Sequence, residues 1–68
     1  MPDNVYKTIE VTGSSTEGIE DAVQGAVSKA SGSLRNLEWF QVGEIRGHIE
    51  NNSVAHYQVT VKLGFRLE

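Results

Sequence analysis

The sequence has no cysteine, which excludes disulfides and thiolate metal sites as sources of stability. It has no apolar run approaching the roughly 20 residues that span a bilayer. Met1-Pro2-Asp3-Asn4 lacks the charged and apolar regions of a signal peptide, so a cytoplasmic protein is expected. Cations are also few: six Lys and Arg against nine Asp and Glu give a net charge of -3. That balance leaves no basic footprint for nucleic-acid binding. A chain of 68 residues makes one domain, residues 1–68. A core of that size usually supplies only about 3 to 5 kcal/mol. With disulfides excluded, oligomerisation is the remaining common device, and an assembly is expected.

What is present is patterned. In Val5 to Thr12, Val5, Ile9 and Val11 fall on one side and Tyr6, Thr8, Glu10 and Thr12 on the other, interrupted only by Lys7. This reads as a half-buried strand that Gly13 ends. Ser14-Ser15-Thr16-Glu17 has capping-box spacing, which starts a helix there. Ile19, Ala22, Val23, Ala26, Val27, Ala30 and Leu34 then recur at spacings of three and four, and Ser31-Gly32-Ser33 reads as a fraying end. Gly18 and Gly25 read as positions that permit close packing. Later, Glu50-Asn51-Asn52-Ser53 carries turn residues between two β-rich runs, a hairpin signal. From Ala55 to Leu67 apolar and polar residues alternate without exception, and Glu68 continues the polar parity. The order strand, helix, strand, strand predicts an α+β fold, a three-stranded antiparallel sheet packed on one helix.

The only tryptophan lies in Leu37-Glu38-Trp39-Phe40-Gln41-Val42-Gly43-Glu44-Ile45-Arg46-Gly47-His48. Apolar parity changes along this stretch, and a bulge at Gly43 reconciles it, because glycine tolerates the backbone angles a bulge requires. Trp39, Gln41, Glu44, Arg46 and His48 then share the outer face of the sheet. With Ile49 opposite Ala55 and a loop of Asn51-Asn52-Ser53, Arg46 falls opposite Gln58, His48 opposite His56 and Trp39 opposite Gly64. A tryptophan facing glycine is expected to lack intramolecular cover, which points to a ligand or another subunit. Trp39 and Arg46 lie on the order of 20 Å apart along one strand. Either they serve different sites, or a subunit interface combines Trp39 of one copy with Arg46 and Gln58 of another.

The whole pattern resembles the dodecins, small flavin-binding proteins of bacteria and archaea. Leu37-Glu38-Trp39-Phe40, Ile45-Arg46-Gly47, Tyr57-Gln58-Val59 and Gly64-Phe65-Arg66-Leu67-Glu68 carry the resemblance in the family's order and spacing. The resemblance implies a β-α-β-β subunit in a hollow homododecamer, with flavin pairs stacked between tryptophans of symmetry-related subunits. It places Trp39 at the stacking position, Gln58 at the isoalloxazine edge and Arg46 at the phosphate of FMN. FMN is therefore the expected flavin, with riboflavin or FAD as alternatives. Coenzyme A is a possible second ligand in such bacterial proteins, with Arg66 and Lys7 as its contacts. Two positions depart from the family: many relatives carry a carboxylate at Gln41 and a longer side chain at Gly43. These departures bear on local charge and ligand preference.

Apart from the resemblance, a single strand tryptophan is more often core or an oligomer contact than a ligand platform. Arg46 and Arg66 would be solvated or interface charges, and Gln58 an exposed strand residue. His48 opposite His56 supplies two metal ligands where zinc takes three or four, and a solvated pair is the plainer reading. Ser14-Ser15 has no histidine or oxyanion motif nearby and reads as a helix cap. No catalytic constellation is visible. The expected function is flavin storage and photoprotection without turnover. A flavin-dependent enzyme or electron carrier, and a structural oligomer with no ligand, stand as alternatives.

Overall fold

A computed structural model describes residues 3–67; Met1, Pro2 and Glu68, which entered the terminal and alternation readings, lie outside the described residues. The elements are β1 (Val5–Ser15), α1 (Ile19–Ser31), β2 (Leu37–Glu50) and β3 (Ser53–Leu67). They form one sheet of order β1-β3-β2 with both pairings antiparallel. The expected α+β architecture is therefore the observed one. None of the described helices is long and apolar enough to cross a membrane.

Two boundaries differ from the expectation. Gly13 does not end β1, which runs on to Ser15 because Gly13 and Ser14 continue the ladder opposite Val59 and Gln58. The helix starts at Ile19 with Gly18 as its cap residue and no side-chain cap. The serine that matters is Ser15. Its buried hydroxyl accepts the amides of Glu17 (2.8 Å) and Gly18 (3.3 Å) and donates to Asp21 Oδ2 (2.8 Å). That hydroxyl satisfies amides of the connecting turn and ties the end of the strand to the first turn of the helix. Helix and strand thus meet through one side chain.

Ala22, Ala26 and Ala30 form the buried stripe of α1, with Val59, Val61 and Leu63 of β3 completing the core. Such small side chains let the helix lie close to the sheet. On the helix side of the sheet the position that demands glycine is Gly13, where a β-carbon would overlap the Ala22 carbonyl. Gly18 and Gly25 do not have the packing role the sequence suggested, since a β-carbon at either would meet nothing within 4 Å. Acidic Glu20 and Asp21 in the first turn and Lys29 in the last complement the helix dipole.

The hairpin is tighter than expected. Glu50 pairs with Ser53, so the loop is only Asn51-Asn52, with φ of 52° and 64°. Consecutive left-handed residues define the type I′ turn whose twist suits a hairpin. Ile49 therefore faces Val54 rather than Ala55, and the extra residue is absorbed as an irregularity between this pair and His48↔His56. The shift at Gly43 is as expected: Gly43 and Glu44 stand between the pairs Val42↔Val61 and Ile45↔Val59. Its cause is not glycine's special dihedrals, because Gly43 does not adopt a left-handed φ. A further shift, which parity did not reveal, lies at Glu38 between Leu37↔Phe65 and Trp39↔Gly64.

The helix packs on β1 and β3 and, beyond Leu37 at its start, leaves β2 largely uncovered. A groove of about 440 Å³ separates them, lined by Ile19, Val23 and Val27 on one side and Phe40 and Val42 on the other. Phe40 (53%), Ile45 (50%) and Ile49 (68%) stay largely exposed on the core face of the sheet. Covering such half-exposed side chains contributes roughly 1 kcal/mol each. Sedimentation of the purified protein should accordingly show an assembly and no stable folded monomer. A monomer unfolding cooperatively at high stability would contradict the need for a partner on β2.

Candidate functional site

The sheet face away from the helix carries the candidate residues. Along β3, the even-numbered positions from His56 to Arg66 point outward, and the neighbouring strands place partners beside each. Arg46 stands opposite Gln58, His48 opposite His56 and Trp39 opposite Gly64, as the sequence predicted.

Trp39 is better supported than the sequence suggested. The six-membered ring of its indole occupies the space a Gly64 side chain would take. Tyr6, reaching from β1 across the central strand, meets the indole edge-on with ring centroids 5.0 Å apart and planes at 68°. Such edge-to-face pairs contribute about 0.5 to 1.5 kcal/mol beyond burial. Glycine below and tyrosine beside the ring give it contacts within the chain, correcting the expectation of no intramolecular cover. Even so, 41% of Trp39 remains exposed. A flat, electron-rich ring open to solvent offers a face on which another planar group can stack.

Arg46 and Gln58 are already joined: Nε of Arg46 donates to Oε1 of Gln58 at 2.9 Å, on the exposed face. This bond aligns the guanidinium and leaves its other N–H donors, together with the Gln58 amide nitrogen, free of that contact. Arg66 lies at the opposite end of the sheet, opposite Tyr6, and its Nη1 donates to Glu38 Oε2 at 3.0 Å. The pair is part-exposed, so its attraction is screened. Lys7 pairs with Phe65 and Arg66 with Tyr6, so the pleat directs Lys7 and Arg66 to opposite faces. Within a single chain the two cations therefore leave the sheet on opposite sides.

The structure thus brings Arg46 to Gln58, places Arg66 near the Tyr6–Trp39 pair, and leaves Trp39 apart from Arg46. From Gly64 to Gln58 along β3 is on the order of 20 Å. Sequence reasoning missed Tyr6 and Glu38. Tyr6 carried only its polar-side parity, because no hairpin joins β1 to β3 and nothing local fixes their register. Glu38 was hidden by the irregularity it occupies. Among the described residues no group of three or more His, Cys, Asp or Glu side chains is gathered to hold a metal ion.

A family model described as Dodecin matches residues 5–68. Over 64 residues the chain is 52% identical to a dodecin of Thermus thermophilus, covering 94% of this chain and 93% of that protein. Its fold superposes on the solved dodecin of Streptomyces coelicolor with a TM-score of 0.94 at 51% identity, covering 100% of this chain and 97% of the other. A more distant structure is a calcium-chelating dodecin from Mycobacterium tuberculosis with a calcium-binding site. That protein shares 25% identity over 94% of this chain and 91% of its own, with a TM-score of 0.82.

The dependence of Trp39 on Gly64 is directly testable. Gly64→Ala puts a methyl group where the indole lies, so the ring must lift or the sheet must shift, at about 1 to 3 kcal/mol of stability. Tryptophan emission should move to longer wavelength as the ring enters water. Unchanged emission and melting temperature would show that the indole does not rest there.

Proposed function

Because the chain belongs to the dodecin family, whose model spans residues 5–68, we propose that it binds flavin for storage and photoprotection. FMN is the preferred form, and the binding assembly is a homododecamer. The observation that carries the reading is the open Trp39 ring, fixed by Gly64 and Tyr6. A planar tricyclic ring system matches such a platform in shape and in its preference for offset stacking. The donor chemistry fits as well: Gln58 offers an amide to a ring edge, and Arg46 offers paired N–H groups to a phosphate.

A bound flavin supplies a ring that absorbs visible light and accepts electrons. Trp39, held in contact with it, is an electron donor that shortens its excited state. Gln58 orients the ring edge, and its bond to Arg46 sets the guanidinium toward the phosphate. Since Trp39 and Arg46 are too far apart within one chain, one ligand meets Trp39 of one copy and the Arg46–Gln58 pair of another. Stacking on both sides leaves no open position for a second substrate, so turnover is not part of the reading. Riboflavin or FAD would use the same platform, riboflavin without the phosphate contact. Coenzyme A as a second ligand would rest on Arg66 and, given the opposed faces, on Lys7 only of a different copy. Visible absorbance of freshly purified protein separates a flavin binder from a ligand-free oligomer.

Trp39→Ala should weaken flavin binding by about tenfold or more, since stacking on an aromatic ring contributes roughly 1 to 3 kcal/mol. Flavin fluorescence should return in whatever complex survives. A variant that binds and quenches like the parent would remove Trp39 from the site.

Arg46→Ala tests the phosphate. A charge-assisted hydrogen bond contributes about 1.5 to 3 kcal/mol, so FMN should weaken roughly tenfold to a hundredfold while riboflavin changes little. Raising the salt concentration should narrow the gap, because screening acts on the charge pair and hardly on stacking. Equal losses for both ligands would make Arg46 an interface residue instead.

A further inference from the structure

Beyond Ser15↔Tyr57 the first strand stops, and β2 and β3 continue alone as a two-stranded ribbon to the Asn51-Asn52 turn. His48 and His56 face each other across this ribbon, one rung past the Arg46–Gln58 pair. Their rings lie 5.4 Å apart, centroid to centroid, and only 23° from parallel. The His48 side chain is 54% exposed. The flavin reading uses neither imidazole.

We propose that His48 and His56 form a cross-strand chelate for a late first-row divalent transition metal ion, Cu2+ being the best fit. Imidazole suits copper, nickel and zinc, whereas calcium and magnesium demand oxygen ligands that the pair does not offer. Two imidazoles bound to one ion through bonds of about 2.0 Å hold their centroids roughly 4.5 to 5.5 Å apart. The observed separation falls inside that range, so the rings need only rotate to converge their nitrogens, with the ladder holding the backbone in place.

Glu50 strengthens the case. Its Oε2 lies 3.3 Å from His48 Nε2, a carboxylate–imidazole contact of the kind that orients a ligating histidine. With Nε2 beside Glu50, Nδ1 of His48 is the ring nitrogen left for the metal. Two protein ligands leave the remaining positions to water or to an external chelator, so the site is one of moderate affinity and open coordination. It stands apart from the flavin reading and survives or fails without it.

The test titrates CuCl2 into the assembled, flavin-free protein and follows it by calorimetry and electron paramagnetic resonance. The parent should take up one Cu2+ per chain with two imidazole nitrogens in its spectrum, and Mg2+ or Ca2+ in excess should not displace it. His48→Ala and His56→Ala should each weaken binding by at least about tenfold, and Glu50→Gln by about tenfold. A spectrum with a single imidazole nitrogen in the parent overturns the proposal without any variant. So does copper retained equally by both alanine variants, which would locate it elsewhere, for instance at the amino terminus.

Discussion

The close approach of α1 to β1 is the constraint from which the rest follows. Gly13 leaves room for the Ala22 carbonyl, and the stripe Ala22, Ala26, Ala30 lets the helix axis sit low over β1 and β3. Small side chains bury little area each, so the core reduces to six residues centred on Val59, Val61 and Leu63. The same low, off-centre position withholds the helix from β2, whose Phe40, Ile45 and Ile49 stay exposed. A tight helix contact is thus the reason the chain has an apolar strand face awaiting a partner. Family membership and this uncovered face agree on a homo-oligomer.

The outer face is organised by β3 in a different way. As the central strand it offers alternate outward positions, and neighbours on both sides borrow the space above them. Where β3 has glycine, at Gly64, Trp39 moves into the space above it and meets Tyr6 of the other flanking strand. Where it has Gln58, the amide takes a bond from Arg46. The shift at Gly43 and Glu44 keeps both Trp39 and Arg46 on this face while Phe40 and Ile45 remain on the other. Without one inserted residue, either the aromatic or the guanidinium would turn toward the core side.

Much of this was legible because strands encode their faces locally. Alternation from Ala55 to Leu67 fixed β3, and the parity change in β2 located the shift at Gly43. Arg46↔Gln58 and Trp39↔Gly64 were reached through a loop one residue too long, and they hold because the irregularity beside Ile49 restores the residue that the two-residue turn removes. The misses share a physical cause. Ser14 to Glu17 fits a cap as a sequence pattern, yet the sheet ladder claimed Ser14 and the turn claimed Ser15, a tertiary choice over a local one. Two irregularities, at Glu38 and beside Ile49, lie at the ends of β2, where too few residues remain beyond them to show a change of parity. Tyr6 required the register of β1 against β3, which a helical connection does not specify. That Lys7 and Arg66 point apart likewise needed that register.

The separation of the proposed site into two halves has a thermodynamic consequence. If the stacking ring and the Arg46–Gln58 pair of one ligand belong to different copies, that ligand binds the assembled state and has no equivalent site on a lone chain. Mass action then makes the ligand a stabiliser of the assembly, and the assembly a condition for tight binding. A core of six small and medium residues makes the free chain weak, so it gains most from this coupling. The exposed apolar face of β2 and the open ring of Trp39 are therefore two expressions of one design. Each is unfavourable in a single chain, and on that arrangement each is relieved by contact between copies.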